Sequence, residues 1–190
     1  QLMGSSIVVL ILIWTFSGLI TKDLKTGQYL AQFLIGTIPL SFLPMMFFCI
    51  ATVVSVMMGS AWGTIGMLFP LGIPLVVSMA GGQPPLIACD LLMLYPVLGA
   101  IISGAVVGNH LSPISDVMLM SATSAGAYHM DLYKAQVSFS IPSIIAAAVG
   151  FGIVGCMLGS YSLPASIATA LFVGLFLNVV ILAFFNHHKV

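Results

Sequence analysis

The sequence predicts an all-α, polytopic membrane protein: a helical bundle with a re-entrant hairpin and a discontinuous transmembrane helix. Three observations lead there. Of 190 residues, 61% are hydrophobic and 4% charged, with four Lys, no Arg, four Asp and no Glu. A soluble domain of this size could not clothe its surface with so few charges, and the mean hydropathy of +1.23 says the same. The apolar runs approach the roughly 20 residues that a helix needs to cross a bilayer, about twice the length of a barrel strand. Two of these runs are also interrupted by glycine, proline and hydroxyl residues. The formal net charge of zero gives no reason to expect a nucleic-acid partner; the lipid bilayer is the first partner implied.

Taken in order, Met3–Ile20 reads as a transmembrane helix, followed by a polar exit at residues 21–27. It starts after Gln1 and lacks the charged leader and small-residue cleavage site of a signal peptide, so the chain reads as a piece of a longer protein. Gln28–Gly36 fits either an interfacial helix or the first turns of the next span. Residues 42–79 form two apolar arms around Gly59-Ser60-Ala61-Trp62-Gly63-Thr64-Ile65-Gly66. Three glycines and two hydroxyls suit neither a helix interior nor a lipid-facing surface. The second arm, Met67–Met79, is about 13 residues and too short for a crossing. Residues 42–79 are therefore expected to form a re-entrant hairpin, with a long broken helix as the alternative. Ala80–Pro85 is a turn.

Residues 86–127 read as one crossing broken at its centre by Gly108-Asn109-His110-Leu111-Ser112-Pro113-Ile114-Ser115-Asp116. Pro113 has no amide hydrogen and crowds the preceding turn. Tyr128–Lys134 reads as an amphipathic surface connector, residues 138–158 as a helix rich in Gly and Ala, and residues 164–185 as a last span opening on proline. With Lys22 and Lys25 on one side and Lys134 and Lys189 on the other, the positive-inside rule assigns no orientation. Cys49, Cys89 and Cys156 match no zinc motif and are expected as small buried hydrophobes.

Polar groups at membrane depth are costly and usually functional. A helix that stops within the bilayer leaves carbonyls unpaired at one end, which attract cations, and amides at the other, which attract anions. Ser60, Thr64, Ser112 and Ser115 add hydroxyl oxygens, and Asp116 adds a charge. A buried carboxyl is biased towards its protonated form, so Asp116 could hold sodium or a proton in competition. Asp116 is the expected sodium ligand. Asp116 capping a structural kink is the plain alternative. His110 could carry a proton or bond a carbonyl. Asp90 sits about a turn inside its span, and His129 and Asp131 read as connector residues. No serine lies in a nucleophile motif, which argues against an enzyme.

Residues 59–64 resemble the Gly-Thr-Ser-Trp-Gly-Thr motif of the NhaC family of sodium/proton antiporters. Residues 108–116 resemble that family's Gly-Asp-His-x-Ser-Pro-Ile-Ser-Asp. His129-Met130-Asp131, with Lys134 and Gln136, is similar to a third segment, and the order agrees from about Trp14 to Pro142. The resemblance implies an ion-transporter fold of inverted repeats, each with a re-entrant hairpin and a broken helix. It further implies a multi-pass protein of the cell (inner) membrane exchanging sodium for protons without a cofactor, some relatives exchanging malate for lactate. Members are more than twice this length, so the chain matches the C-terminal half. A missing N-terminal repeat, or a second copy, is then an expected partner, and an inactive truncated subunit is an alternative. One position departs: Asn109 stands where the family has Asp, and an amide can ligate a cation but cannot take a proton. Asp116, Ser112, Pro113 and Ser115 match the family, and cation binding is carried over onto them; the full set of candidate ion- or substrate-binding residues is Asp116, Ser112, Ser115, Asn109, His110, Ser60 and Thr64.

Overall fold

The computed structural model describes residues 38–79, 92–158 and 162–187, with isolated positions 11, 15, 19, 23–25, 29 and 32 before them. The expected span 3–20, the segment 28–36, the turn at 80–85, Cys89, Asp90 and the tail from His188 lie outside the described residues. After a short 3-10 turn, Leu40–Phe42, come six helices: α1 (Leu43–Met58), α2 (Ala61–Met79), α3 (Leu94–His110), α4 (Asp116–Ala125), α5 (His129–Met157) and α6 (Leu163–His187). No strand occurs among the described residues. Among the described residues, four helical stretches are long and apolar enough to cross a membrane: Leu40–Met58, Ala61–Met79, His129–Met157 and Pro164–Ile181. This is an all-helical membrane protein.

The core is the seam between α1 and α3. Ala100, Gly104 and Gly108 recur every fourth residue and so share one face of α3. A Cβ on Gly104 would stand 2.5 Å from the Phe48 carbonyl, and one on Gly108 would fall on the Thr52 carbonyl. The two backbones are therefore in direct contact, as small residues allow between helices in lipid. Ser55 locks the seam by donating its hydroxyl to the Ala105 carbonyl at 2.5 Å. Leu43, Phe47, Leu68, Leu75, Val97 and Ile101 fill the space where α2 closes over the pair. α5 joins from the other side, where Phe48 and Phe151 stack with ring centroids 5.3 Å apart.

Several expectations are corrected. The eight-residue interruption at 59–66 contracts to two residues, because helix resumes at Ala61. Ser60 makes this possible: its hydroxyl accepts from the Gly63 amide at 3.3 Å and its carbonyl from the Thr64 hydroxyl at 2.9 Å. The second arm is consequently 19 residues, not about 13, and has the length of a full crossing. It carries Pro70 and Pro74 internally; lost helical bonds of this kind are tolerated where neighbouring helices surround them.

The connector at 128–134 is not separate either. It forms the first turns of α5, a single helix of 29 residues. At 1.5 Å per residue that is about 44 Å, enough to carry polar turns beyond a hydrocarbon core of about 30 Å. Cys49 and Cys156 are free and exposed on the outer faces of their helices, not buried.

Candidate functional site

Two of the places where the chain leaves helical geometry, residues 59–60 and residues 111–115, touch. Gly59 ends α1 in the left-handed region (φ 66°), and its amide donates to the Ser55 carbonyl at 2.8 Å. A Cβ there would lie 3.0 Å from Ile114 Cγ1 and 3.3 Å from the Ile114 carbonyl. Ile114 belongs to the second break, residues 111–115, between α3 and α4. The glycine seam of α1 and α3 leads to both breaks, since Gly108 and Ser55 lie one turn from them.

The second break is built by Pro113 and its neighbouring serines. The Ile114 amide turns to the Ser112 hydroxyl (3.4 Å) and the Ser115 amide to the Ser112 carbonyl (3.3 Å). In a continuing helix these two amides would have reached the carbonyls of His110 and Leu111. Among the described residues no amide meets those carbonyls, which lie at the negative end of the α3 dipole. Ser115 opens α4 as its N-cap, accepting from the Met118 amide at 3.4 Å. Asp116, the first residue of α4, accepts from the Val117 amide at 2.8 Å. The capping role thus falls to Ser115, with Asp116 taking the next amide.

The seven expected site residues divide into three groups. Ser112, Ser115 and Thr64 are fully buried, at 0% exposure. Ser60 and Asn109 are half-buried, and the side-chain oxygen of Asn109 is buried with no hydrogen-bond partner. His110 and Asp116 are exposed, so the burial expected of Asp116 is not found among the described residues. Thr64 faces back along its own helix, donating to Ser60, while Gly59 supplies the direct contact between the breaks.

Two residues had been passed over. Ser55 was hidden in an apolar run, where a lone serine gives no signal. His129 was assigned to a surface connector; instead its Nε2 lies 2.8 Å from the Pro113 carbonyl, inside the second break. Its Nδ1 is buried without a partner. A cavity of about 450 Å³ between α3, α5 and α6, bordered by Tyr95, Gly99, Phe151 and Asn178, is almost wholly apolar and includes none of the site residues.

An oxygen-rich pair of helix breaks in an apolar bundle is suited to a small, hard cation. The chain is 32% identical over 174 residues to an uncharacterized protein of Haemophilus influenzae, a match that covers 92% of this chain and 31% of the relative. It is 34% identical over 112 residues to the Malate-2H(+)/Na(+)-lactate antiporter of Bacillus subtilis, covering 58% of this chain and 21% of that protein. The chain thus spans less than a third of the length of these curated relatives. No solved structure matches it. The model of the Na+/H+ antiporter family matches residues 1–156, both helix breaks included, and the chain belongs to that family.

Proposed function

We propose that this chain is part of a secondary active transporter that exchanges sodium for protons across the cell membrane, and that the second helix break is its cation site. The observation that carries the reading is the contact between the two breaks, with the free carbonyls of His110 and Leu111 and the orphaned Asn109 oxygen beside buried Ser112 and Ser115. Sodium prefers such hard oxygen ligands. Asp116 supplies the charge and can exchange a sodium ion for a proton; Asn109 contributes an oxygen but no proton. In this reading α1 and α2 form the hairpin arms, and α3 and α4 are two halves of one discontinuous crossing. Ser60 and Thr64 shape the hairpin tip against the site. The remaining repeat would come from the rest of a longer protein, whose relatives are more than three times the matched length.

The test is sodium-driven pH change in proteoliposomes holding the full-length protein. Sodium or lithium on one side should move protons to that side, and Asp116→Asn should cut the rate at least about tenfold. No response to either ion at any concentration sinks the reading. A second reading, exchange of small organic anions, is favoured by the malate/lactate antiporter among the relatives. Uptake of labelled malate or lactate, with no pH response to sodium alone, would select it.

A further inference from the structure

Pro113 creates an orphan on its acceptor side as well as its donor side. In an uninterrupted helix its carbonyl would receive the Val117 amide. Here Val117 donates to Asp116 Oδ1 at 2.8 Å instead. The Pro113 carbonyl is met by His129 Nε2 at 2.8 Å, from the first residue of α5. A carbonyl oxygen can only accept, so Nε2 carries the hydrogen. In the neutral ring Nδ1 is then a bare acceptor, and it is buried with nothing to receive from. The imidazole therefore donates a ring hydrogen to the break.

That bond is also the firmest one holding the loop. The bonds that residues 112–115 make among themselves are 3.3 and 3.4 Å long, and the cap from Ser115 to Met118 is 3.4 Å. Bonds of that length are weak beside one of 2.8 Å. The loop's shape thus depends on α5, a helix that also packs on α1, α3 and α4, and whose hydrogen bond to the break among the described residues is this one.

We propose that His129 is a positioning residue of the transport site: it holds the Pro113 carbonyl and so fixes the loop that presents Ser112, Ser115 and Asp116. The bond occupies one lone pair of the Pro113 oxygen, so the oxygens of His110 and Leu111 are the more open to a cation. It also ties the first turn of α5 to the break, so the helix and the loop move together. The part played in transport rests on the cation-site reading above; the anchoring of the loop does not.

Two measurements on the full-length protein separate these. Hydrogen–deuterium exchange in detergent should rise about tenfold for amides 114–119 in His129→Met, which keeps bulk but loses the donor, and stay near wild type in His129→Gln, whose amide nitrogen can reach the same oxygen. In proteoliposomes His129→Met should raise the half-saturating sodium concentration about tenfold with a smaller change in maximal rate, and His129→Gln should restore it. Unchanged exchange and half-saturation in His129→Met overturn the proposal, as does His129→Gln behaving like His129→Met. If His129→Met does not fold, His129→Gln decides alone: wild-type exchange supports the anchor, raised exchange overturns it. A wild-type protein silent to sodium whose exchange still follows this pattern removes the cation-site reading and leaves the anchor in place.

Discussion

The two helix breaks are made of similar residues and are physically unlike. At the first, the partners are local: Gly59 turns the chain with a left-handed φ, its amide returns to Ser55, and Ser60 caps the helix that follows. Two residues suffice, and the break is a tight turn. At the second, Pro113 withholds a donor, Ser112 draws in two amides, and carbonyls of α3 are left over. Here the accounts are closed from outside, by His129 on α5, or not at all, as at Asn109. Buried polar groups without partners are rare in folded proteins and mark places where a ligand or function has claimed them. On the proposed reading, the first break is scaffold and the second is the site it supports.

The largest expected effect attacks the seam that brings the breaks together. Gly108→Ala puts a methyl group onto the Thr52 carbonyl and against Ser55, a main-chain collision that no side-chain rotation relieves. Overpacking of this kind costs about 3 kcal/mol, read as a lower melting temperature of the purified protein in detergent.

Next is Gly59 itself. Gly59→Ala should cost about 1–2 kcal/mol for the left-handed backbone alone, plus the collision with Ile114. Gly126 serves as the comparison, since it has a similar φ of 61° with nothing within 4 Å, and Gly126→Ala should cost only the backbone part. Ile114→Ala should recover some of the loss at Gly59 and none at Gly126. Equal costs at the two glycines, unaffected by Ile114→Ala, would break the claim that the two loops support each other.

The smallest expected effect lies in the caps. Ser115→Ala removes the cap of α4 and should cost about 1 kcal/mol. Ser60→Ala should cost a similar amount, because its hydroxyl plays the corresponding part for α2. The two should differ in transport: Ser115→Ala should also weaken sodium dependence, while Ser60→Ala should leave it nearly intact. Matching transport losses would erase the distinction between scaffold and site.

Much of this was legible in the residues. Apolar runs and scarce charge specify a helical membrane protein because lipid leaves the backbone few other ways to satisfy itself. Pro113 amid Ser112, Ser115 and Asp116 marked the second break, although helix runs on through His110 and resumes at Asp116, so the expected 108–116 shrinks to 111–115. The first break was overestimated because glycine content was weighed without the cap: Ser60 pays for restarting the helix at once, and Gly63 sits against Met58 with no room to spare. The turns from His129 to Lys134 looked like a connector because their polarity is that of a surface; a helix longer than the bilayer is thick has polar turns as well.

What the sequence alone determined was local: where helices could run, where proline and glycine had to interrupt them, and which oxygens would then lie near an unpaired carbonyl. Those outcomes follow from bonds between residues a turn apart. Only the tertiary structure decided that Gly59 meets Ile114, that Ser55 reaches Ala105 across the seam, and that His129 rather than a nearer residue holds the Pro113 carbonyl. These contacts join residues 16 to 55 positions apart in the chain. Their partners are chosen by how closely two backbones can approach, which no spacing in the sequence records.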